Sequence, residues 1–544
     1  MSACSASGEP TAHVDTFVRD NLPPVSEWPT FVLSTAVRPC PPRVNCASVL
    51  LDDAVRDGHG DRVAIYSDSG NWTYLELLAK ANQLANFLAA EHDLVPGNRV
   101  LLRGTNSAML MCAWLAVVKA GAVAVTTMPQ LRAKELERIA TKARITHALC
   151  DASLVAEVET VGNNSHWLGH TITLGDGVLE AGIERQPTSY VTVDTAADDP
   201  CVIAFTSGTT GDPKATVHFH RDVLASADVV GGALLETTPE DIFVGSPPLG
   251  FTFGLGALLV FPLRFRAATV ALERPTPDAL LTAIEKFQAT CLFTAPTMYR
   301  TLAGVAKREA LRSLTRSVSA GEPLPKATSN AWYAASGIRL IDGIGATELF
   351  HIFISAKGNA IRLGATGKVL PGYEAEILDS NGNPVPTGQV GRLAVRGPTG
   401  CRYLSDNRQV RYVSGGWNIT GDRYLRDDDG YFWFQARDDD MIISSGYNIA
   451  APEVESALLA HEAVGEVAVV GAPDDERGQI VKAFVVLTPR FVASPELVGQ
   501  LQAFVKATVA PYKYPRSIEF VLSLPKTVTG KIQRAVLRAL VNGK

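Results

Sequence analysis

The sequence predicts an α/β protein. A large N-terminal domain over residues 1–438 has doubly wound parallel sheets plus a β-rich subdomain, and a small α+β domain covers residues 439–544. Three observations carry this. Apolar strands alternate with helical stretches as far as Ile341, the pattern of βαβ units in parallel sheets. Beyond Gly367 the pattern turns to hairpins. The charged stretch Arg437-Asp438-Asp439-Asp440 then sets off the C-terminal part.

In chain order, Thr73 and Glu76 form a capping box. Tyr74, Leu77, Leu78, Ala81, Leu84, Ala85 and Leu88 follow at helical spacing, one apolar stripe facing a core. Residues 99–102, 108–119 and 122–125 read as strand, apolar helix and buried strand, and further strands fall at 202–205, 268–272, 291–294, 317–319 and 339–341. The longest uncharged run, 246–263, is short and broken by glycine and proline, so it reads as a buried loop and strand rather than a membrane span. Residues 373–378 and 391–396 are strands with the turn signal Asn381-Gly382 between them. Residues 424–435 form a hairpin turning at Asp427-Asp428-Asp429-Gly430. The last domain holds helices 451–459 and 495–509 and strands 467–470 and 482–487.

With 544 residues, 46% of them hydrophobic and 19% charged, the chain has ample material for a core. A net charge of -6 gives nucleic acid or an anionic membrane little electrostatic reward, so a polyanionic ligand needs a local site. Eight cysteines are scattered without a Cys-x-x-Cys pair, which fits free thiols in a reducing cytosol. The N-terminus lacks the basic start and apolar stretch of a secretion signal. The expectation is a cytoplasmic protein, monomer or homodimer, with small-molecule partners.

The most informative stretch is Thr206-Ser207-Gly208-Thr209-Thr210-Gly211-Asp212-Pro213-Lys214, directly after an apolar strand. Its glycines let successive backbone N–H groups aim into one concavity, an anion nest. Four hydroxyls add hydrogen bonds to phosphate oxygens and Lys214 supplies a point charge. The pattern is not the Walker A loop, which needs Gly-x-x-x-x-Gly-Lys-Ser/Thr.

This stretch resembles the phosphate-binding signature of the adenylate-forming superfamily, which includes acyl- and aryl-CoA synthetases, luciferases and peptide-synthetase adenylation domains. The resemblance runs over most of the chain. Residues 73–77 and 114–122 look like early structural motifs, and Ser319-Ala320-Gly321-Glu322-Pro323 looks like the segment passing over adenine. Asp342-Gly343-Ile344-Gly345-Ala346-Thr347-Glu348 is similar to the central motif, whose glutamate holds Mg²⁺. Residues 416–422 resemble the motif whose aspartate, here Asp422, binds the ribose hydroxyls. Arg437 fits a ribose-contacting arginine, Phe434 a nucleotide contact, Asp439 the hinge of a mobile C-terminal domain, and Gly446 the pantetheine tunnel. Residues 525–531 close the set with the catalytic Lys531. The resemblance implies ATP, Mg²⁺ and coenzyme A, with Thr347, Glu348 and Lys531 in the chemistry. Loading of a separate carrier protein, or a non-catalytic nucleotide-binding role, stays open as an alternative.

Within the superfamily, residues 342–353 look like the benzoate-CoA ligase branch, and Val14–Pro24 with Trp28-Pro29 resembles 2-aminobenzoate-CoA ligases. The resemblance places Phe251, Ala320, Gly345, Phe350 and His351 in the acyl pocket. Ala and Gly leave a slot for a flat ring and Phe can stack on it. His351 either bonds a ring substituent or is a satisfied core histidine. The sequence departs from the common pattern at Phe251, where many members carry His, and at Ala436, which replaces Gly. It also carries Asn448 where acetate-type enzymes have Arg.

Overall fold

The computed structural model describes residues 9–32, 34–164, 166–206, 212–444, 447–474, 477–526 and 532–542. Among these residues the strands form five sheets. The first runs His170–Leu174, His147–Asp151, Arg99–Arg103, Val123–Thr127, Pro200–Thr206, Lys214–Phe219, parallel except for the last, antiparallel pair. In the second, six parallel strands from Ile341–Gly345 through Arg316–Ala320 to Val63–Tyr66 lie between antiparallel edges. The helix Ala108–Lys119 is buried almost all round. Its apolar surface shares one core with residues of both sheets, among them Val100, Ala124, Phe243 and Phe293, as expected for a helix without a polar face. The capping box at Thr73 and Glu76 is present.

A third, antiparallel sheet is built on Gly391–Arg396, Trp417–Arg426 and Phe432–Arg437. The C-terminal part has its own core, with Val454, Leu458, Val469, Val485 and Leu501 closing the helices over Val464–Asp474 and Gly478–Leu487.

Two readings change. Residues 246–251 are loop as expected, but no strand follows: Thr252–Leu255, a wide helical turn Gly256–Val260 and Phe261–Arg264 run on as one buried helical stretch. The glycines here are packing residues rather than breakers. A Cβ on Gly256 would lie 2.6 Å from the His351 ring. No helix of the described residues is long and apolar enough to cross a membrane. The strand expected at 339–341 instead spans Ile341–Gly345 and so carries half the central motif into the sheet.

The outer strand Lys214–Phe219 does not end the first sheet with bare backbone. Val217 N–H donates to the Arg402 carbonyl at 2.8 Å and Leu404 N–H to that of Ala215 at 2.9 Å. Arg402, fully buried, is ion-paired to Asp222 and stacked 4.0 Å over the Phe219 ring.

Candidate active site

The glycine-rich loop joins the two antiparallel strands of the first sheet, and Thr206 and Lys214 sit opposite each other across its mouth. Residues 207–211, with Ser207, Gly208, Thr209, Thr210 and Gly211, lie outside the described residues. The loop's far end is held by Arg408, which donates to the Asp212 carbonyl at 3.1 Å and is itself braced by Asp406. The Lys214 ammonium lies 5.3 Å from the centre of the Tyr403 ring. The Tyr403 hydroxyl in turn donates to the buried Glu348 carboxylate. The loop's cation and the central motif's anion therefore meet through one tyrosine.

The central motif is set by the second sheet. Ser319 pairs with Asp342 and Ala320 with Gly343, so the adenine segment and the motif leave adjacent strands side by side. Gly345 must be glycine because a Cβ there would lie 2.7 Å from the His351 carbonyl oxygen of the returning strand. Gly321, Pro323 and Gly345 are exposed and Glu322, Ile344 and Thr347 half-buried, so these two segments form a ledge open to solvent. Burial pushes the Asp342 carboxyl up to about 7. The turn Thr347–Leu349 is pinned by His218, whose Nε2 donates to the Thr347 carbonyl at 2.8 Å. Burial lowers His218 to about 4, so it is neutral. Its ring meets Phe350 edge-on at 5.1 Å. Phe350 itself has φ 71 and ψ -46, a strained conformation for a residue with a side chain.

Phe350 and His351 are buried, Ala320 nearly so, and Phe251 half-buried. The His351 ring is boxed by Phe253 at 5.3 Å and Phe261 at 4.6 Å, and its Nε2 donates to the Phe253 carbonyl at 3.2 Å. Burial drops its pKa to about 3, which leaves a neutral ring whose buried Nδ1 has no protein partner. Asn106 aligns the segment that carries Phe251. It donates to the Pro247 carbonyl and accepts from Leu249 N–H, both at 2.9 Å.

On the third sheet Asp422 and Arg437 are cross-strand neighbours, ion-paired at 3.1 Å. Burial raises the Asp422 pKa and Arg437 opposes that rise. Phe434, on the same strand, packs on Tyr424. The charged stretch divides its allegiance. Arg437 and Asp438 pair with Asp422 and Arg423 of the third sheet, whereas Asp440 pairs with Arg534 and Arg538 of the C-terminal part. The backbone of residue 439 lies between, its side chain outside the described residues, as are Gly446 and Lys531. Arg534, just beyond Lys531, feels the Glu322 carboxylate of the adenine segment, and Arg300 donates to the Val464 carbonyl at 3.0 Å. The C-terminal part is thus docked against the large part through Arg300 and Arg534.

The sequence reading did not pick out Tyr403, His218, Asn106 or Arg408. Mg²⁺ commonly takes one or two carboxylates plus substrate phosphates. Glu348, buried beside the loop mouth, fits that donor set.

The AMP-binding enzyme family model matches residues 51–403, and that of the AMP-binding enzyme C-terminal domain matches residues 453–531. The benzoate-CoA ligase of Thauera aromatica is 35% identical over 508 residues, 92% of this chain and 96% of that one. The crystal structure of the anthranilate CoA ligase AuaEII in complex with anthranoyl-AMP superposes with a TM-score of 0.88 at 34% identity, covering 92% of this chain and 98% of that one. The benzoate CoA ligase from Burkholderia xenovorans LB400 gives 0.83 at 32%, covering 91% and 100%.

Proposed function

The chain belongs to the AMP-binding enzymes and is an acyl- or aryl-CoA ligase, and from that premise we propose that its acid is a small aromatic carboxylate of the benzoate or 2-aminobenzoate type. The observation that carries the reading is the neutral His351, boxed by Phe253 and Phe261 and left with an unpartnered Nδ1. The similarity to benzoate and anthranilate ligases supports it. In this reading Phe251, Ala320, Gly345, Phe350 and His351 would form an apolar pocket for a flat ring, with the unpartnered Nδ1 of His351 available to a ring substituent.

In the first half-reaction a carboxylate oxygen bonds to the α-phosphorus of ATP and pyrophosphate leaves. The loop 206–214 holds the departing phosphates, Asp422 and Arg437 hold the ribose, and Lys531 steadies charge on the forming anhydride. Mg²⁺ on Glu348 would neutralise the phosphates. In the second, the C-terminal domain turns about Asp439, withdraws Lys531 and brings Gly446 to the pantetheine. The coenzyme A sulfur then bonds to the acyl carbon, AMP leaves with the bonding pair, and the thiol proton passes to solvent.

Pyrophosphate release across a panel of acids, with and without coenzyme A and with product mass recorded, tests this. Benzoate or 2-aminobenzoate should give a kcat/KM far above acetate and palmitate. A higher value for either of the latter removes the aromatic assignment.

A further inference from the structure

Away from the nucleotide ledge, at the other end of the hairpin that carries the anion loop, two thiols and an imidazole meet in the interior. Cys46 opens the short helix Cys46–Leu50, Cys201 lies at the irregular start of Pro200–Thr206, and His220 follows directly on Lys214–Phe219. None is more than 1% exposed, and their Sγ and ring-nitrogen atoms all lie within 4.8 Å of one another. The donors are soft. Two carboxylates act on Cys201: Asp199, engaged by Thr11, Arg19 and the N–H groups of Ala12 and Ala196, and Asp222, engaged by Arg402 and Phe219 N–H. A second imidazole, His13, sits close enough to His220 to interact with it electrostatically. It is 6% exposed with neither ring nitrogen partnered, so this corner holds imidazole that the protein alone does not satisfy.

We propose that Cys46, Cys201 and His220 form a binding site for a single soft closed-shell cation, copper(I). Thiolate and imidazole select soft metals. Three donors fit copper(I) better than zinc(II), which takes four ligands in structural sites. On binding, two sulfur–copper bonds and one nitrogen–copper bond form, and the two thiol protons leave to solvent. The imidazole Nδ1 now accepts from Cys46 N–H at 3.1 Å and lies 3.3 Å from Cys46 Sγ. Ordinary bond lengths put sulfur and nitrogen about 3.8 Å apart across a trigonal ion, so ring and thiol must part by about half an ångström. The released N–H belongs to the first turn of a helix, where no intrahelical partner exists. The bound ion would tie the helix Cys46–Leu50 to the base of the hairpin and raise the melting temperature.

The test uses the full chain with exposed Cys40 and N-terminal Cys4 changed to serine, kept anaerobic with ascorbate and titrated against the copper(I)–bicinchoninate complex. One equivalent of copper should be withheld from the indicator, and Cys46→Ala or Cys201→Ala should lose it while keeping the parent's near-UV circular dichroism. X-ray absorption of the loaded parent should show two sulfurs and one nitrogen around copper, a readout that stands even if the alanine chains do not fold. The proposal is overturned if the parent withholds no more copper than folded alanine variants. A copper shell with fewer than two sulfurs, or zinc(II) bound more tightly than copper(I), also overturns it.

Discussion

At the candidate site single side chains are tied to partners far away in sequence. Tyr403 reaches Glu348 across 55 positions and His218 reaches Thr347 across 129. Neither stands in a pattern that spacing or composition marks, so only sheet register could reveal them. The glycine loop, Glu348, Asp422 and Arg437 stand out in the sequence because each sits in an ordered motif. Lys531 follows a Thr-Gly pair in the same way. Lys531→Ala should slow acyl-AMP formation by about 100-fold or more, the scale of one lost charge-stabilising contact, while thioester formation from supplied acyl-AMP survives. Acetylation should act alike, since it deletes the charge. Equal losses in both half-reactions would remove the assigned role. A second residue-scale consequence is thermodynamic. Asp342, held near 7 in the fold, binds its proton more tightly folded than unfolded. Its contribution is full at acid pH and is lost as pH rises through 7. Asp342→Asn should therefore lose less melting temperature than the parent between pH 5 and pH 8. Parallel curves would show that the carboxyl is ionised throughout.

At the scale of elements, local signals gave the helix Ala108–Lys119 and the strand Cys291–Thr294 to the residue, because capping and hydrophobic period act within a few positions. Residues 252–263 misled for the opposite reason: Gly254 and Gly256 read as breakers, yet Gly254 makes room for the Pro248 carbonyl and Gly256 for the ring of His351, far away in sequence. The charged stretch is a more telling case. Its ion pairs change sides between Asp438 and Asp440, so the backbone at 439 is where rotation would leave both sets intact. Asp439→Pro, which fixes φ and removes a donor, should keep substantial acyl-AMP formation and lose most thioester formation from supplied acyl-AMP and coenzyme A. Each half-reaction is assayed alone. Unchanged rates in both would move the hinge elsewhere, and parallel loss would indicate misfolding.

At the scale of the molecule, the change from βαβ pattern to hairpins after Gly367 and the charged stretch at 437–440 are both readable in the sequence. The docking of the C-terminal part on the large part is not, since it rests on contacts such as Arg300 with Val464 that no local pattern encodes. Nor could sequence tell that residues 402–404 lie along the last strand of the first sheet. That strap bears on how the protein lives among its own copies. A sheet margin with unpaired N–H and C=O groups is a template on which another chain can add a strand. Here the margin also bears the anion loop, which must stay open to ligand. The buried Arg402–Asp222 pair is what keeps the strap seated. Breaking such a pair from one side costs about 3–5 kcal/mol. Arg402→Ala should thus lower the urea midpoint and, at micromolar concentration, scatter light and bind thioflavin T well below the parent's melting temperature. If the variant is destabilised yet keeps the parent's oligomeric state, the strap is packing alone. If it self-associates, the same short segment whose Tyr403 braces Glu348 also keeps the sheet margin from adding another chain.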